Sequence, residues 1–333
     1  MEEKEMKAII YTKYGGPDVL QLKEVDKPTP KDNELLIKVY ATTVNRTDCA
    51  TIGAIPFFAR LITGIFKPKK QIPGTEFAGE IEAVGKNVMS YKVGDRVFGF
   101  DDSGSGSHAQ YLTISEDKAI TIPENITYEQ AAASTEGAHY AYNFIKKVDI
   151  KSGQKILVNG ATGAIGSAAV QLLKYFGVNV TAVCNTKNME LVKSLGASRV
   201  IDYTKEDFTK EDQKYDFVFD TVGKSSFFKC RKLLKPGGVY ISSDLGYMSQ
   251  NIFLPVITPI IKPILGNKKT VSPFPTDISG SIRLIKKLIE EGKFKAVIDR
   301  KYPLEHIVEA YKYVETGQKT GNVVITVEHD SKT

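Results

Sequence analysis

The chain of 333 residues contains no tryptophan, three cysteines and four histidines. Cys49, Cys184 and Cys230 lie far apart and form no Cys-x-x-Cys pair, which indicates neither a disulfide framework nor a cysteine zinc lobe. We expect each cysteine to fill space in a core. The histidines do not stand at metal-ligand spacing; they are His108, His139, His306 and His329. These scarcities predict no metal site.

Long apolar runs and runs of like charge are also absent. The apolar stretches at residues 54–66 and 252–265 are interrupted by an arginine and by three prolines, so neither is predicted to span a membrane. We expect each to form a buried loop or short helix, or an apolar wall for a lipophilic substrate. The net charge of +6 is spread along the chain, which disfavours a nucleic-acid partner and suits an anionic cofactor.

The composition is that of a globular protein, with 42% hydrophobic and 25% charged residues, and the length suits two domains. The first ten residues, MEEKEMKAII, carry mixed charge and show neither a signal-peptide core nor an Arg/Ser-rich transit pattern. We therefore expect a cytoplasmic protein.

The secondary-structure pattern changes along the chain. Short apolar runs at 6–12, 33–41, 78–86 and 95–100, separated by Gly/Pro/Asp turns, predict a mostly β first domain. After about residue 125, strands and helices alternate, which predicts an α/β fold with a doubly wound parallel sheet. A helix at about 277–291 and a closing strand NVVITV follow, and we expect this tail to return to the first domain.

A glycine-rich loop, GATGAIG, follows an apolar strand and opens a helix. Gly160, Gly163 and Gly166 allow a tight turn and a close backbone approach, and the helix N-terminus offers N–H groups to a pyrophosphate. This context predicts a dinucleotide site, with contacts also from the loop residues Ala161, Ala164 and Ile165.

The next predicted strand ends without the acidic residue that would bind the ribose hydroxyls of NAD. Asn185 and Thr186 can hydrogen-bond a 2′-phosphate there, and Lys187 can supply positive charge, although a solvated lysine at a helix start is the alternative. We therefore predict NADPH as the cofactor.

Taken together, these motifs resemble the medium-chain dehydrogenase/reductase superfamily, in its zinc-free quinone oxidoreductase branch. The resemblance covers nearly the whole chain and rests on five segments in order: GTEFAGEIEAVGKNVMSYKVGDRVFGF, GATGAIG, SLGASRVIDYTKEDF, KLLKPGG and GKFKAVIDRKYPLEHIVEAYKYVETGQKTGNVVI. It implies a GroES-like, mostly β catalytic domain from residues 1–126 with 297–333. It also implies a Rossmann NADPH-binding domain from residues 127–296.

The resemblance also bears on zinc. Where zinc-dependent relatives carry their catalytic ligands, this chain has Asn45, Thr75 and, with a less certain alignment, Glu136. An amide, a hydroxyl and one carboxylate suit tetrahedral zinc poorly. The sequence therefore predicts chemistry without zinc, in which hydride passes to a small lipophilic acceptor that is already activated, a quinone or an α,β-unsaturated carbonyl.

The candidate catalytic residues follow from the same comparison. Asn45 and Thr75 are predicted to donate hydrogen bonds to the developing oxyanion, and Asp48 resembles the aspartate of the family's N-P-x-D pattern. Glu136 is predicted to act as an acid, with a purely structural carboxylate as the alternative. Glu76 in GTEFAG is expected to be structural.

Further cofactor contacts are implied by the resemblance alone: Tyr203, Thr221, Val222, Ser242 and Asn322. The alternatives within the enzyme class are a 2-enoyl thioester reductase, for which Lys67, Lys69 and Lys70 would form a basic patch, and an alcohol dehydrogenase. The alternative outside that class is a non-catalytic NADPH-binding protein. A homodimer is implied, with KKTVSPF as the candidate edge.

Overall fold

The computed structural model describes residues 4–57, 60–244, 250–260, 265–271 and 276–329. The chain divides into two compact units. Unit 1 comprises Met1–Glu136, Ile278–Glu290 and Lys295–Thr333, and unit 2 comprises Gly137–Asp277 and Glu291–Phe294. The first segment therefore ends at Glu136 rather than at the predicted residue 126, and residues 278–290 join unit 1 although the sequence placed them in the cofactor domain.

Strands and α-helices are numbered in chain order. The strands are β1 (Glu5–Ile10), β2 (Gln21–Asp26), β3 (Glu34–Val44), β4 (Glu76–Val84), β5 (Arg96–Phe100), β6 (Tyr111–Ser115), β7 (Ala119–Thr121), β8 (Lys155–Asn159), β9 (Asn179–Cys184), β10 (Arg199–Asp202), β11 (Tyr215–Asp220), β12 (Leu234–Ser242), β13 (Lys269–Thr270), β14 (Ile298–Pro303) and β15 (Asn322–Thr326). The helices are α1 (Arg46–Gly53), α2 (Arg60–Thr63), α3 (Tyr128–Ala132), α4 (Glu136–Lys146), α5 (Ala164–Tyr175), α6 (Met189–Leu195), α7 (Phe227–Cys230), α8 (Gln250–Ile257), α9 (Ile278–Glu290) and α10 (Ile307–Glu315).

Unit 1 is built on a sheet with the order β14-β15-β3-β4-β5-β7, in which β6 also pairs with β3. The long strand β3 carries the apolar sequence ELLIKVYATTV and is buried along most of its length, as expected for a central strand. The closing strand β15 pairs antiparallel with β3, with Val323 opposite Val44. This pairing fixes the C-terminal segment in unit 1.

Helix α9 joins unit 1 because of its amphipathic pattern. Its buried face consists of Ser281, Ile282, Ile285, Leu288 and Ile289. Lys286, which lies one helical turn after Ile282 of this face, donates a hydrogen bond of 2.6 Å from Nζ to Thr121 Oγ1 at the end of β7. The apolar stripe and this contact attach the helix to the β-rich unit.

Unit 2 contains a parallel sheet in the order β10-β9-β8-β11-β12-β13. The chain leaves β8 in one direction through β9 and β10, and β11 returns to pair with the other side of β8. The order therefore reverses at β8, which is the doubly wound arrangement that the sequence predicts. The α/β fold class is confirmed.

The segment FFKCRKLLKPGG is only partly helical. Helix α7 ends at Cys230, and β12 already begins at Leu234, so KPGG lies inside a strand. The pairing of β11 with β12 shifts register between Tyr215 and Phe217, and Gly237 has φ of +79°. A bulge with a left-handed glycine thus accommodates KPGG within the strand.

Both apolar stretches contain short helices, α2 and α8, but several of their large side chains are exposed rather than buried. Phe57 is 75% exposed, Phe66 is 94% exposed and Val256 is 69% exposed. Among the described residues, no helix is long and apolar enough to cross a membrane. Parts of the two stretches, residues 58–59 and 261–264, lie outside the described residues. So do residues 272–274 of the predicted dimer edge; its described part includes β13, the last strand of the sheet.

Substitution of Gly79 by alanine is expected to destabilise unit 1. A Cβ at this position in β4 would lie 2.1 Å from the carbonyl oxygen of Lys38 on the neighbouring strand. The strands must separate to accept it, and we expect a loss of about 3 kcal/mol in the free energy of unfolding, measured by urea denaturation. Gly16→Ala is the matched control, because a Cβ there meets no atom within 4 Å. Equal stability of the two variants would contradict this account of the β3–β4 contact.

Candidate functional site

A buried carboxylate, that of Glu76 at the start of β4, is the centre of a polar cluster in unit 1. The residue is 0% exposed, and its two carboxylate oxygens accept four hydrogen bonds. The donors are the Thr43 hydroxyl, Asn45 Nδ2 at 2.6 Å, Thr135 Oγ1 at 2.5 Å and the Glu136 backbone N–H at 2.6 Å. Such a carboxylate is held by its neighbours, which agrees with the structural role expected for Glu76.

Asn45 lies at the junction of β3 and α1 and is buried. Its backbone N–H donates to Asp48 Oδ2 at 2.8 Å, the N-terminal capping contact of α1. Its side-chain Nδ2 donates to Glu76 and, at 3.3 Å, to Thr43 Oγ1. Its Oδ1 accepts a 2.9 Å hydrogen bond from Lys319 Nζ. The amide that the sequence predicts as a donor to substrate is therefore directed at groups of the protein itself in this structure.

Lys319 is a member of this cluster that sequence reasoning missed. It lies in the turn between α10 and β15, and its ammonium also donates to the carbonyl oxygen of Gly321 at 2.6 Å. In the sequence, QKTGN has the composition of an ordinary surface turn. One feature of the sequence could have indicated Lys319: it precedes β15, and β15 pairs with the end of β3 next to Asn45.

Three of the four predicted catalytic side chains carry a buried oxygen without a hydrogen-bond partner in the described chain: Asp48 Oδ1, Thr75 Oγ1 and Glu136 Oε2. The residues are 1%, 3% and 4% exposed. The Thr75 hydroxyl lies close enough to the Asp48 carboxyl to lower its pKa, although their geometry does not reach a hydrogen bond. The structure thus brings Asn45, Asp48, Thr75 and Glu136 together around Glu76.

Burial sets the proton affinities of the three carboxyl groups. It raises the pKa of Asp48 to about 7, with the backbone N–H of Asn45 opposing the rise and the charge of Glu76 adding to it. Burial also raises the pKa of Glu76, but hydrogen bonds from Thr135 and Thr43 favour its ionised form. Burial together with the charges of Glu76 and Asp48 holds the pKa of Glu136 well above its ordinary value. Glu136 is therefore the carboxyl group that retains a proton most readily.

The proton on Glu136 has a defined place. Glu136 Oε1 accepts a hydrogen bond from the Thr47 hydroxyl, whereas Oε2 has no partner in the described chain. A proton on Oε2 would therefore have no acceptor within the described chain. Such a proton is available to an oxygen atom of a bound molecule.

A buried histidine, His108, contacts the backbone of Thr43, one of the donors to Glu76. His108 Nε2 lies 2.9 Å from the Thr43 carbonyl oxygen, and the Tyr311 hydroxyl lies 3.3 Å from His108 Nδ1. Burial lowers the pKa of His108 to about 4, so the ring is neutral and can donate at one nitrogen and accept at the other. The contact fixes Thr43, whose hydroxyl donates to Glu76.

The donor set does not fit a zinc ion. Asn45 Oδ1, which would have to face the metal, accepts a hydrogen bond from an ammonium group. Within the described ranges, no group of three or more His, Cys, Asp or Glu side chains could hold a metal ion. The absence of zinc nevertheless stays a prediction.

In unit 2, the glycine loop between β8 and α5 is tightly packed at two of its three glycines. Gly160 has φ of +80°, and a Cβ there would lie 2.6 Å from Val222 Cβ. A Cβ on Gly166 would lie 2.1 Å from the Gly160 carbonyl oxygen. By contrast, a Cβ on Gly163 would approach nothing closer than 3.8 Å, and α5 begins there without a side-chain cap. The helix N-terminus thus presents backbone N–H groups to open space.

The predicted phosphate-binding residues follow β9. Thr186 and Lys187 are exposed, as is Tyr203 at 56%. The Thr186 hydroxyl donates to Asp202, at the end of the neighbouring strand β10, and Asp202 also accepts hydrogen bonds from the Thr204 backbone N–H and hydroxyl. Sequence reasoning missed Asp202, because the contact depends on strand pairing rather than on position along the chain.

The other predicted cofactor residues lie at strand ends. Thr221 Oγ1 donates to the carbonyl oxygens of Asn159 and Gly160, and Ser242 Oγ accepts from the Asp244 N–H. Asp220 accepts hydrogen bonds from the Tyr240 hydroxyl and the Ser225 N–H, as expected for a residue that ends its strand. Asn322 belongs to unit 1, where its amide donates to the Ala133 and Val297 carbonyl oxygens.

Comparison with known proteins identifies relatives of the chain. Residues 31–124 match the family described as "Alcohol dehydrogenase GroES-like domain", and residues 195–325 match the family described as "Zinc-binding dehydrogenase". The chain is 36% identical over 340 residues to a 2-methylene-furan-3-one reductase of Solanum lycopersicum, covering 96% of this chain and 79% of that protein. It is 33% identical to an NADPH-dependent alkenal/one oxidoreductase of Arabidopsis thaliana, covering 97% of this chain and 80% of that protein.

Two solved structures share the fold along nearly the whole chain. The quinone oxidoreductase from Coxiella burnetii superimposes with a TM-score of 0.85 at 28% identity, covering 98% of this chain and 100% of that one. A mycobacterial protein complexed with NADPH gives a TM-score of 0.80 at 25% identity, covering 96% of this chain and 99% of that one.

The two units are therefore a GroES-like domain and a Rossmann domain, and the chain belongs to the medium-chain dehydrogenase/reductase superfamily. Within that superfamily it belongs to the branch that resembles quinone oxidoreductases, and it is an oxidoreductase of this type. The resemblance and the fold class inferred from the sequence are both confirmed.

Replacement of Asp48 by asparagine should change how stability depends on pH. An aspartate has a pKa of about 4 in the unfolded chain, whereas the folded value is about 7. Between these values the unfolded state loses the proton first, so the wild-type protein loses up to about 1.4 kcal/mol of stability per pH unit as the pH rises. Asparagine does not titrate. The free energy of unfolding of Asp48→Asn, relative to that of the wild-type protein, should therefore increase with pH over that range and remain constant above it.

The measurement is urea denaturation at a series of pH values. Asp32→Asn, an exposed aspartate that pairs with Lys86, serves as the control and should follow the wild-type curve. A difference between Asp48→Asn and wild type that does not vary with pH would show that Asp48 does not carry this buried proton.

Proposed function

We propose that this protein is a zinc-independent, NADPH-dependent reductase of quinones or α,β-unsaturated carbonyl compounds. The observation that carries the proposal is the buried Glu136 carboxyl, whose Oε2 has no hydrogen-bond partner in the described chain and whose pKa burial and neighbouring charges hold well above its ordinary value. The names of the relatives support it, because one is an NADPH-dependent alkenal/one oxidoreductase and another a quinone oxidoreductase.

The chemistry follows from the acceptor. Bound NADPH would supply the hydride. When a hydride adds to the β-carbon of an enone, the electron pair of the C=C bond moves toward the carbonyl, and negative charge develops on its oxygen. Hydrogen-bond donors at that oxygen stabilise the transition state. We assign this role to Glu136 Oε2–H and to the Thr75 hydroxyl, the two buried donors of the site without a partner in the described chain.

Proton transfer completes the reduction. Glu136 donates its proton to the substrate oxygen, the resulting enol becomes the saturated carbonyl compound, and the Glu136 carboxylate takes up a proton from solvent. For a quinone the same transfer gives the hydroquinone. The balance in both cases is one hydride and one proton added to the acceptor.

Asn45 and Asp48 have supporting roles in this proposal. Asp48 fixes the backbone of Asn45 at the start of α1, and the Asn45 amide is held by Glu76 and Lys319. The hydrogen bonds of Asn45 to protein groups favour a role in holding the site over direct donation to the substrate.

The preference for NADPH rests on the residues after β9. The Thr186 hydroxyl is directed at Asp202, so the attraction for a 2′-phosphate depends on Lys187 and on backbone groups. The fit of the glycine loop to a pyrophosphate supports a dinucleotide in general. A cytoplasmic location and a homodimer, both expected from the sequence, stay predictions.

Replacement of Glu136 by glutamine tests the proposed reaction. The wild-type protein is expected to consume NADPH with a 2-enal or a benzoquinone, followed by the loss of NADPH absorbance, with kcat falling as the pH rises through the pKa of Glu136. Glu136→Gln should reduce kcat with the enal by roughly 100- to 10,000-fold and abolish this alkaline limb, because the amide donates no proton.

The control is Glu309→Gln, an exposed glutamate beside His306, which should behave as wild type. A wild-type protein that consumes no NADPH with any quinone or enal would overturn the proposal in favour of a cofactor-binding role. Faster turnover of an enoyl thioester than of the matching free enal would instead favour the thioester reductase.

A second test concerns the cofactor. Lys187→Glu is expected to raise the KM for NADPH by roughly 10- to 100-fold while leaving the KM for NADH unchanged, because only the 2′-phosphate loses an opposite charge. The measurement is initial-rate kinetics with both cofactors at one enal concentration. Lys193→Glu makes the same charge change on α6 and should leave both values near wild type. An unaltered ratio of the two KM values in Lys187→Glu would remove the basis for preferring NADPH.

A further inference from the structure

The turn that carries Lys319 is held in place by its neighbours. The Thr320 backbone N–H donates to Asp299 Oδ2 at 2.8 Å. Gly321 has φ of +73°, and a Cβ there would lie 2.2 Å from the Val297 carbonyl oxygen. Asn322 adds its two amide hydrogen bonds to Ala133 and Val297. The position of the Lys319 ammonium is therefore a built feature of unit 1 rather than one conformation of a free surface chain.

The ammonium reaches the acid cluster through one amide group. Lys319 Nζ donates to Asn45 Oδ1, and Asn45 Nδ2 donates to Glu76 Oε2. The Lys319 ammonium, the Asn45 amide and the Glu76 carboxylate are thus connected by two successive hydrogen bonds. The cation favours the amide orientation in which the oxygen faces Lys319 and the NH2 group faces Glu76. An asparagine amide that turned over would place its NH2 group against the ammonium and its oxygen against the carboxylate.

The same cation acts on the other carboxyl groups of the cluster. Burial lowers the pKa of Lys319, and the charges of Glu136 and Glu76 oppose this. In turn Lys319 lowers the pKa of Asp48 and of Glu76. If all three buried acids ionised, their negative charge would exceed the one positive charge of Lys319, which favours keeping a proton in the cluster. Glu76 accepts four hydrogen bonds, which stabilise its ionised form, so the proton is favoured on another member.

We propose that Lys319 is a positioning residue of this site: its ammonium orients the Asn45 amide toward Glu76, keeps Glu76 ionised, and thereby leaves the site's proton on Glu136. The catalytic part of this inference rests on the proposed function. The placement of the proton does not, because it is a property of the protein without cofactor or substrate.

Other charged groups around Lys319 have partners of their own. Asp299 accepts hydrogen bonds from the Thr320 N–H and the Tyr313 hydroxyl. Cys49, on α1, stays a thiol because burial raises its pKa. Asp48, Glu76 and Glu136 are then the three acids whose ionisation the ammonium governs.

The test compares Lys319→Met, which removes the charge at similar length, with Lys319→Arg, which keeps it. The first readout is the infrared band of protonated carboxyl groups, recorded against pH without cofactor or substrate and assigned to Glu136 by its absence in Glu136→Gln. In Lys319→Met we expect the total band to persist to a pH higher by about one unit, because a positive charge that favoured ionisation has gone. We also expect part of that band to survive when Glu136→Gln is added, because Glu76 then shares the proton that Glu136 holds in the wild-type protein. Lys319→Arg should restore the wild-type titration, and Lys312→Met, an exposed lysine paired with Asp18, should leave it unchanged.

The second readout is the pH profile of kcat with NADPH and a 2-enal. The alkaline limb of Lys319→Met should move upward with the infrared band, kcat on the plateau should fall roughly tenfold or more because Asn45 loses its orientation, and the KM for NADPH should not change. If Lys319→Met fails to fold, Lys319→Gln supplies the same neutral comparison.

The two readouts distinguish the role of Lys319 from the proposed function of the protein. An infrared titration in Lys319→Met or Lys319→Gln that matches wild type would overturn the role of Lys319, whatever the activity. A wild-type protein without any NADPH oxidation would overturn the proposed function, and the infrared shift would still decide the place of the proton.

Discussion

The carboxylate of Glu76, buried and bonded by four donors, is the interaction on which unit 1 depends. Its donors come from the end of β3, from the residue that begins α1 and from the segment that leads into α4. Removing the carboxylate would leave two hydroxyls, an amide and a backbone N–H without their acceptor in a dry environment, and each such group costs roughly 1–3 kcal/mol. The anion therefore fixes the places where three chain segments meet, and the candidate catalytic side chains are carried on those segments.

The same interaction determines what chemistry is possible. A carboxylate that is fully bonded is poor at accepting a proton, while a second carboxyl group close to it and equally buried is poor at losing one. Glu76 is the carboxylate that favours its ionised form, and Glu136 is the carboxyl group that favours its protonated form, because their surroundings differ. The Asn45 amide holds Glu76 in place, and the hydroxyl of Thr75, which has no partner in the described chain, is a further hydrogen-bond donor of the site. Such a site suits an acceptor that needs only an oxyanion partner and one proton.

Much of this could be predicted from the sequence, because the relevant information is local. The glycine loop joins a strand, a turn and a helix within a few residues, so Gly160, Gly163 and Gly166 were recognisable at once. The roles of Asn45, Asp48, Thr75 and Glu136 were suggested by short motifs. What the sequence could not show are contacts made by distant pairing: Lys319 with Asn45, His108 with Thr43, and Asp202 with Thr186. The strand position of KPGG could not be read from the sequence for a related reason, since the bulge in β12 depends on its partner strand β11.

The antiparallel pairing of β15 with β3 has a consequence for the order in which the protein forms. Domains generally fold as they leave the ribosome, N-terminal parts first. Here the strand beside the second part of β3 and the ammonium beside Asn45 are both supplied by a stretch of chain that follows all of unit 2 in the sequence. Until that stretch has been synthesised, the second part of β3 lacks this partner and the three acids lack their cation. The Rossmann domain can thus mature first, while the acid-bearing unit is completed only after β15 has been made.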